Sequence, residues 1–321
     1  MSHLSSIRTR LTRFTEKRIF PLYFLLTFLF FNKRVAQLHL LSRRTGYQGL
    51  DLKRLKRRKS SDTLFILGSG GSINDISEET WKEIKHSDSL GFNFWIMNDH
   101  IPDFYMLELP KYPPNREVIL EWVNKRKFQL LENNTCVLMK DLEFGLLDFN
   151  AYPEELKEAS QILYKDSLYG SSMESKRKSL RYVRSLGLDQ RNLLYFCRGS
   201  LFSAIYFGWK LGYKKIVLGG IDLYNSGYFF DSDEYRDTLR PLNEQRGKVH
   251  DTVNKAISNI TMDELVMLLD QDLLKPDGCE LRVLNASSLL HPRIPLYEPP
   301  ASREEPATAQ RMTPSMSPAE R

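Results

Sequence analysis

A group of residues near the middle of the chain has types and spacings that could do chemistry. Asp222, Tyr224 and Tyr228 lie in Gly212–Asp231, GYKKIVLGGIDLYNSGYFFD. His250 follows a polar linker, and Asp231-Ser232-Asp233 forms a D-x-D triplet. KKIVLGGID reads as a short apolar strand that ends in Gly-Gly-Ile-Asp and opens into a polar, aromatic loop. In a parallel α/β sheet, ligands sit beyond the carboxyl ends of the strands, so this loop reads as a pocket wall. His250 stands just before a helical run, where a neutral imidazole can take a proton from an attacking hydroxyl near neutral pH. A D-x-D triplet is a pattern that holds a divalent cation on a nucleotide diphosphate, though it is also common by chance in an acidic loop.

Other polar residues sit at the ends of apolar runs. TLFILGSGGSI reads as a buried strand entering a loop, Gly68-Ser69-Gly70-Gly71-Ser72. Glycines there let the backbone approach a phosphate or ribose, and free N–H groups suit an anion. The loop lacks the G-x-G-x-x-G spacing. Ser77 is an expected N-cap for the helix SEETWKEIKH. Asn93 lies in SLGFNFWIM and Glu108 near the end of PDFYMLEL. Polar groups placed in such runs need partners if buried, which makes both candidates for reading a base or ribose. In NLLYFCRGSLFSAIYFGWKLGY, Arg198 and Ser200 lie at a loop and helix start, where carboxylate or phosphate is favoured.

These sites require strands that bring them together. LLYF, the helix after Ser200 and the strand before Gly219 read as a crossover unit of a doubly wound parallel sheet, and the chain as α/β. TCVLMK is a further strand. Residues 114–131 and 151–186 alternate charge with leucine and read as surface helices. Tyr169–Lys178, YGSSMESKRK, is polar and a candidate lid.

Bulk composition sets the limits. The chain has 321 residues and a formal net charge of +6. The positive excess is local: residues 1–60 carry a dense set of lysines and arginines against only Glu16 and Asp51. Residues 19–31, IFPLYFLLTFLFF, form an apolar run flanked by basic residues, shorter than the roughly 20 residues of a bilayer span. It has no small-residue cleavage site. The expectation is a segment lying at the membrane interface, where basic groups meet anionic lipid, and the competing reading is a helix packed on the domain. The basic cluster at 53–59 comes with no nucleic-acid-binding motif, so nucleic acid is not an expected partner. Three cysteines, Cys136, Cys197 and Cys279, are widely spaced and odd in number, which argues against a disulfide framework and points to a reducing compartment. From Pro299 onward the chain is rich in Pro, Ser, Ala and charge, and reads as a disordered tail. The expected organisation is therefore 1–60 as a membrane-associating segment, 61–298 as the catalytic domain and 299–321 as the tail.

Taken together, GSGGSI…FN…FYMLELPK…RGSLFSAIYFGWKLGYKKIVLGGIDLYNSGYFFD…KVHD…NASSLL resembles the bacterial sialyltransferases of glycosyltransferase family 42. The resemblance covers about residues 63–295 and is densest over 200–231. It implies a single Rossmann-like, GT-A-like domain with a small lid region. It implies transfer of sialic acid from CMP-sialic acid to a sugar hydroxyl, with inversion and with neither metal nor cofactor. Tyr224 and Tyr228 would hydrogen-bond the departing CMP phosphate, and His250 would be the general base. Ser69, Gly70, Asn93, Glu108, Ser200 and Asp222 would fall at or beside the donor, with Asp222 equally readable as a structural cap. The family's motif has Asn where Ser69 stands, Pro at Gly71, Asn at Glu108, Thr at Gly199, Gly at Leu201 and Arg at Cys197. These departures leave the choice of nonulosonic acid open. The alternatives are a metal-dependent transferase using a nucleotide-diphosphate sugar, a Rossmann-like diphosphokinase, and a non-catalytic nucleotide-sugar binder at a membrane. A basic, membrane-seeking N-terminus suggests a lipid-linked acceptor such as lipooligosaccharide at the inner face of the cytoplasmic membrane. Linkage and homo-oligomer formation stay open.

Overall fold

The computed structural model describes residues 15–16, 18–110, 112–140, 151–224, 227–230, 251–255 and 259–299. His250, Asp231, Ser232, Asp233 and the tail from residue 300 lie outside them.

Ten strands are described: β1 (Gln48–Gly49), β2 (Thr63–Leu67), β3 (Asp88–Phe92), β4 (Phe104–Glu108), β5 (Cys136–Lys140), β6 (Ser160–Ile162), β7 (Lys165–Ser167), β8 (Leu194–Phe196), β9 (Lys215–Gly219) and β10 (Glu280–Val283). Eight form one sheet in the order β1-β6-β5-β4-β3-β2-β9-β10, with every neighbouring pair parallel. From β2 the chain builds outward through β3, β4, β5 and β6, then returns to lay β9 and β10 on the other side of β2. The α/β, doubly wound parallel architecture is therefore the one present, with its switch point between β2 and β9. The central strands read as apolar runs because both of their faces are covered: Leu64–Leu67 and Ile216–Val217 are fully buried.

The helices are α1 (Phe20–Thr45), α2 (Leu52–Arg58), α3 (Glu78–His86), α4 (Pro113–Glu132), α5 (Met173–Ser185), α6 (Ser200–Leu211) and α7 (Met262–Leu269). Ser77 caps α3 by accepting from Thr80 N at 3.3 Å, as its position suggested. Buried α6 lies directly on β2 and β9, because a Cβ at Gly208 would stand 2.9 Å from Leu64 and Ile216 side-chain carbons.

Three sequence expectations change. LLYF is β8, but it pairs with β7 in a separate two-stranded sheet instead of joining the main one. Residues 151–186 form an α-helix only from Met173; before it come a single 3-10 turn at Glu154–Leu156 and the strands Ser160–Ile162 and Lys165–Ser167, too short to show a period. Tyr169–Lys178 is tied down and does not stand as a free loop. Tyr169 is buried, Ser172 caps α5, Gly170 N donates to Tyr23 Oη at 3.1 Å and Ser171 N to Glu16 Oε1 at 2.6 Å.

Those last two bonds run to the N-terminal segment. Phe20, Tyr23 and Phe24 of α1 are buried, with Phe24 against Tyr169 and Tyr182 at 5.3 Å. Residues 48–58, grouped with that segment on sequence, are built into the fold: β1 edges the sheet on β6 and α2 buries Leu52 and Leu55. No described helix is long and apolar enough to cross a membrane.

Two stability measurements follow. Leu55→Ala should cost about 2–5 kcal/mol in denaturant unfolding, as a fully buried leucine does, while Leu25→Ala, on an exposed position, should stay within about 0.5 kcal/mol. His100 is held neutral mainly by burial, with Lys85 adding repulsion, and its pKa falls from 6.5 to about 4. The unfolded chain takes up this proton first, so stability should be lost as pH drops from about 6.5 to about 4, by at most roughly 3 kcal/mol. His100→Gln should flatten that part of the profile.

Candidate functional site

The ends of β2 and β9 touch through their backbones, and this contact shapes the site. Gly68 N donates to Gly219 O at 2.8 Å, and Gly70 N to Gly220 O at 3.0 Å. Farther along, Gly71 N donates to Gly227 O at 3.0 Å and Phe229 N to Ser69 O at 3.3 Å. Glycine is required here. A Cβ on Gly70 would stand 2.5 Å from Asp222 Oδ2 and 2.8 Å from Gly220 O, and Gly220 adopts φ +64°. Asp222 completes the clamp: Oδ2 accepts from Ser72 N at 3.2 Å, and Oδ1 from Ser72 Oγ. Its carboxylate, 97 % withdrawn from solvent, thus serves the loop, which matches the structural-cap reading. The N–H groups of Gly68, Gly70, Gly71 and Ser72 are spent on the facing loop, so most of the Gly-Ser loop's amides are already bonded within the protein.

A cavity of about 380 Å³ opens beside this clamp, beyond the carboxyl ends of β2, β3, β4 and β9. Ser69, Gly70, Asn93, Glu108, Ser200, Asp222, Tyr224 and Tyr228 all line it. The structure thus brings together every described residue among the sequence candidates for donor contact and catalysis. Arg198 is not among the lining residues; it adopts φ +62° and its Nη1 donates to Ile260 O at 2.5 Å.

Each lining residue has a local reason for its place. Asn93 ends β3 at φ +55°, a conformation that asparagine tolerates, and its carbonyl accepts from Tyr105 Oη at 2.6 Å. Tyr228 stacks on Phe230 at 5.0 Å and meets the edge of Phe94 at 5.8 Å. Burial pushes its phenol up to about 12, so it remains a proton donor at neutral pH. The first turn of α6 faces the cavity through Gly199, Ser200 and Leu201, and no side chain caps that helix. This uncapped end is a place where the fold favours an anion.

Sequence reasoning missed Lys140. It closes β5, is fully buried, and donates to Ser200 Oγ at 3.0 Å. It also pairs with Glu108, whose Oε2 accepts from Ser200 Oγ as well. The Lys140 ammonium lies 4.5 Å from the centre of the Phe196 ring. Burial presses its pKa downward and the Glu108 charge opposes that. The signal available was a lysine ending an otherwise apolar strand. Phe94, Ile119, Thr252 and Met262 also line the cavity unannounced; the aromatic residues flanking Asn93 were the hint for Phe94. Among the described residues, no group of three His, Cys, Asp or Glu side chains is placed to hold a metal ion.

Comparison with known proteins gives no match among family models or among curated sequences. Two solved structures are similar in chain path. One is a point variant of the sialyltransferase Cst-II in complex with CMP, at 16 % identity and TM-score 0.40, covering 74 % of this chain and 86 % of that one. The other is the monofunctional alpha-2,3-sialyltransferase Cst-I from Campylobacter jejuni, at 17 % identity and TM-score 0.43, covering 74 % and 81 %. Likeness of that degree assigns no residue a role.

The buried pair makes a direct prediction. Lys140→Met leaves the Glu108 charge uncompensated and should cost about 3–5 kcal/mol in denaturant unfolding. Lys140→Met combined with Glu108→Gln should recover most of that loss, and additive losses would mean the two do not act as a pair.

Proposed function

We propose that the chain is a glycosyltransferase that moves sialic acid, or a related nonulosonic acid, from a CMP-linked donor to a sugar hydroxyl of a glycan such as lipooligosaccharide. The observation that carries this reading is the convergence of eight residues, singled out on sequence alone, on one cavity at the switch point of the sheet. The cavity volume of about 380 Å³ lies in the range of small-molecule sites.

In this reading the donor's phosphate lies at the uncapped start of α6, within reach of Tyr224 and Tyr228. As the bond from the anomeric carbon to the phosphate oxygen breaks, negative charge grows on the CMP phosphate. Phenolic donors stabilise that charge in a water-poor site, the role a metal plays for diphosphate leaving groups. The acceptor oxygen forms its bond on the opposite face of the sugar, giving inversion, and its proton passes to His250. Thr252, two residues farther along the chain, lines the cavity. Asn93 and the Glu108–Ser200 pair supply polar atoms for the base and ribose, while Ser69 and Gly70, bridged to the Tyr228 segment, form the wall beside it.

The reading is tested by thermal shift with CMP, UDP and GDP. CMP at about a hundred times its Kd should stabilise the protein by about 2.7 kcal/mol and the diphosphates by much less; preference for UDP or GDP would sink it. The Tyr224→Phe/Tyr228→Phe double variant should lose transfer rate by about 10²–10³-fold or more, far more than it loses CMP affinity. His250→Ala should abolish transfer with CMP binding nearly intact. Transfer that persists in EDTA separates this mechanism from a metal-dependent one.

A further inference from the structure

Helix α1 is apolar on two opposite sides over its first half, and only one of them is covered. Phe20, Tyr23 and Phe24 face the domain and are buried. Leu22, Leu25, Leu26 and Leu29 are 40–58 % exposed. At 3.6 residues per turn these four fall within about 60° of one line along the helix. The same line continues through Lys33, Arg43 and Arg44, all exposed. The outer face of α1 is thus a strip about 33 Å long from Leu22 to Arg44, leucine for its first turns, with Lys33, Arg43 and Arg44 joined by one further exposed leucine, Leu40, toward its end. Two carboxylates lie nearby in the chain, and both are used. Glu16 is buried and accepts from Ser171, and Asp51 caps α2 by accepting from Arg54 N at 2.9 Å.

We propose that this strip is a docking surface for an anionic lipid bilayer, with α1 lying flat on the membrane. The leucines would enter the boundary between headgroups and acyl chains, and Lys33, Arg43 and Arg44 would meet lipid phosphates. The support is charge complementarity: exposed leucines offer a face that can enter below the headgroups, and Lys33, Arg43 and Arg44 on the same side have the length to reach up to lipid phosphates. The inner face of α1 is already anchored by buried aromatics, so docking needs no unfolding of the domain. The inference goes beyond the proposed donor chemistry and does not depend on it.

The test is co-sedimentation of the full-length chain with phosphatidylglycerol vesicles and, in parallel, phosphatidylcholine vesicles. Binding to phosphatidylglycerol should be strong at low salt, weaken as salt rises, and fall sharply on phosphatidylcholine. Leu22→Ser/Leu26→Ser/Leu29→Ser should melt like the wild type and bind at least about tenfold more weakly. Lys33→Glu/Arg43→Glu/Arg44→Glu should bind roughly a hundredfold more weakly, at about fivefold for each cation lost. Absence of wild-type binding, or variants that bind as well as wild type, would overturn the proposal. So would a dimer in sedimentation velocity that the serine variant abolishes while vesicles are ignored, because the strip would then be a self-association surface.

Discussion

The rest of the structure depends on the close approach of two strand-end loops. The backbones after β2 and β9 come together with no side chain between them, bonded from Gly68 and Gly70 to Gly219 and Gly220 and locked by Asp222 on Ser72. That approach is possible only where Cβ atoms are absent, as the 2.5 Å clearance at Gly70 makes plain. It fixes the direction in which the chain leaves β9. Tyr224 and Tyr228 are thereby carried over the cavity, and Phe229 and Phe230 onto Trp95 and Phe94. The same contact consumes the amides of Gly68, Gly70, Gly71 and Ser72. The start of α6, which also borders the cavity, carries no side-chain cap.

The cavity's electrostatics follow from burial. Asp222 and Glu108 are both acidic, and neither presents a free carboxylate: one is tied to the backbone of the β2 loop, the other to Lys140 and Ser200. Lys140 needs Glu108 because an unpaired ammonium with no exposed surface is costly. The pair leaves the wall close to neutral. Recognition of a charged ligand then rests on oriented dipoles, phenols and a helix end, and less on opposite charge.

Much of the site was legible in the sequence because it lies where strands end. A polar residue or glycine that interrupts an apolar run marks the place where a strand leaves the sheet, and a parallel sheet gathers all such places at one edge. Ser69, Asn93, Glu108 and Tyr224 were found in this way. The positions beside them were hidden for physical reasons. Lys140 does end an apolar strand, but a lysine there reads equally as an exposed end, and only its partner Glu108 from β4 accounts for its burial. Ile119 and Met262 are ordinary apolar residues of helices, and only the packing of those helices points them into the cavity. The role of β8 was misread because local pattern identifies a strand but not its neighbour. Its pairing with β7 is decided by contacts between distant parts of the chain.

The sequence by itself determined the α/β class, the central strands, the capping of α3, the polar residues at strand ends and the two-sided apolar character of residues 19–31. These are properties of neighbouring residues and of periodicity, and local sterics and hydrophobicity suffice for them. Only the tertiary structure decided the order of the sheet, the incorporation of residues 48–58 as its edge, and the tying of Tyr169–Lys178 to α1. It also decided the spending of the loop amides and the partner of Lys140. Each of these depends on which groups far apart in the chain satisfy one another's hydrogen bonds and charges once water is excluded, and no local pattern records that choice.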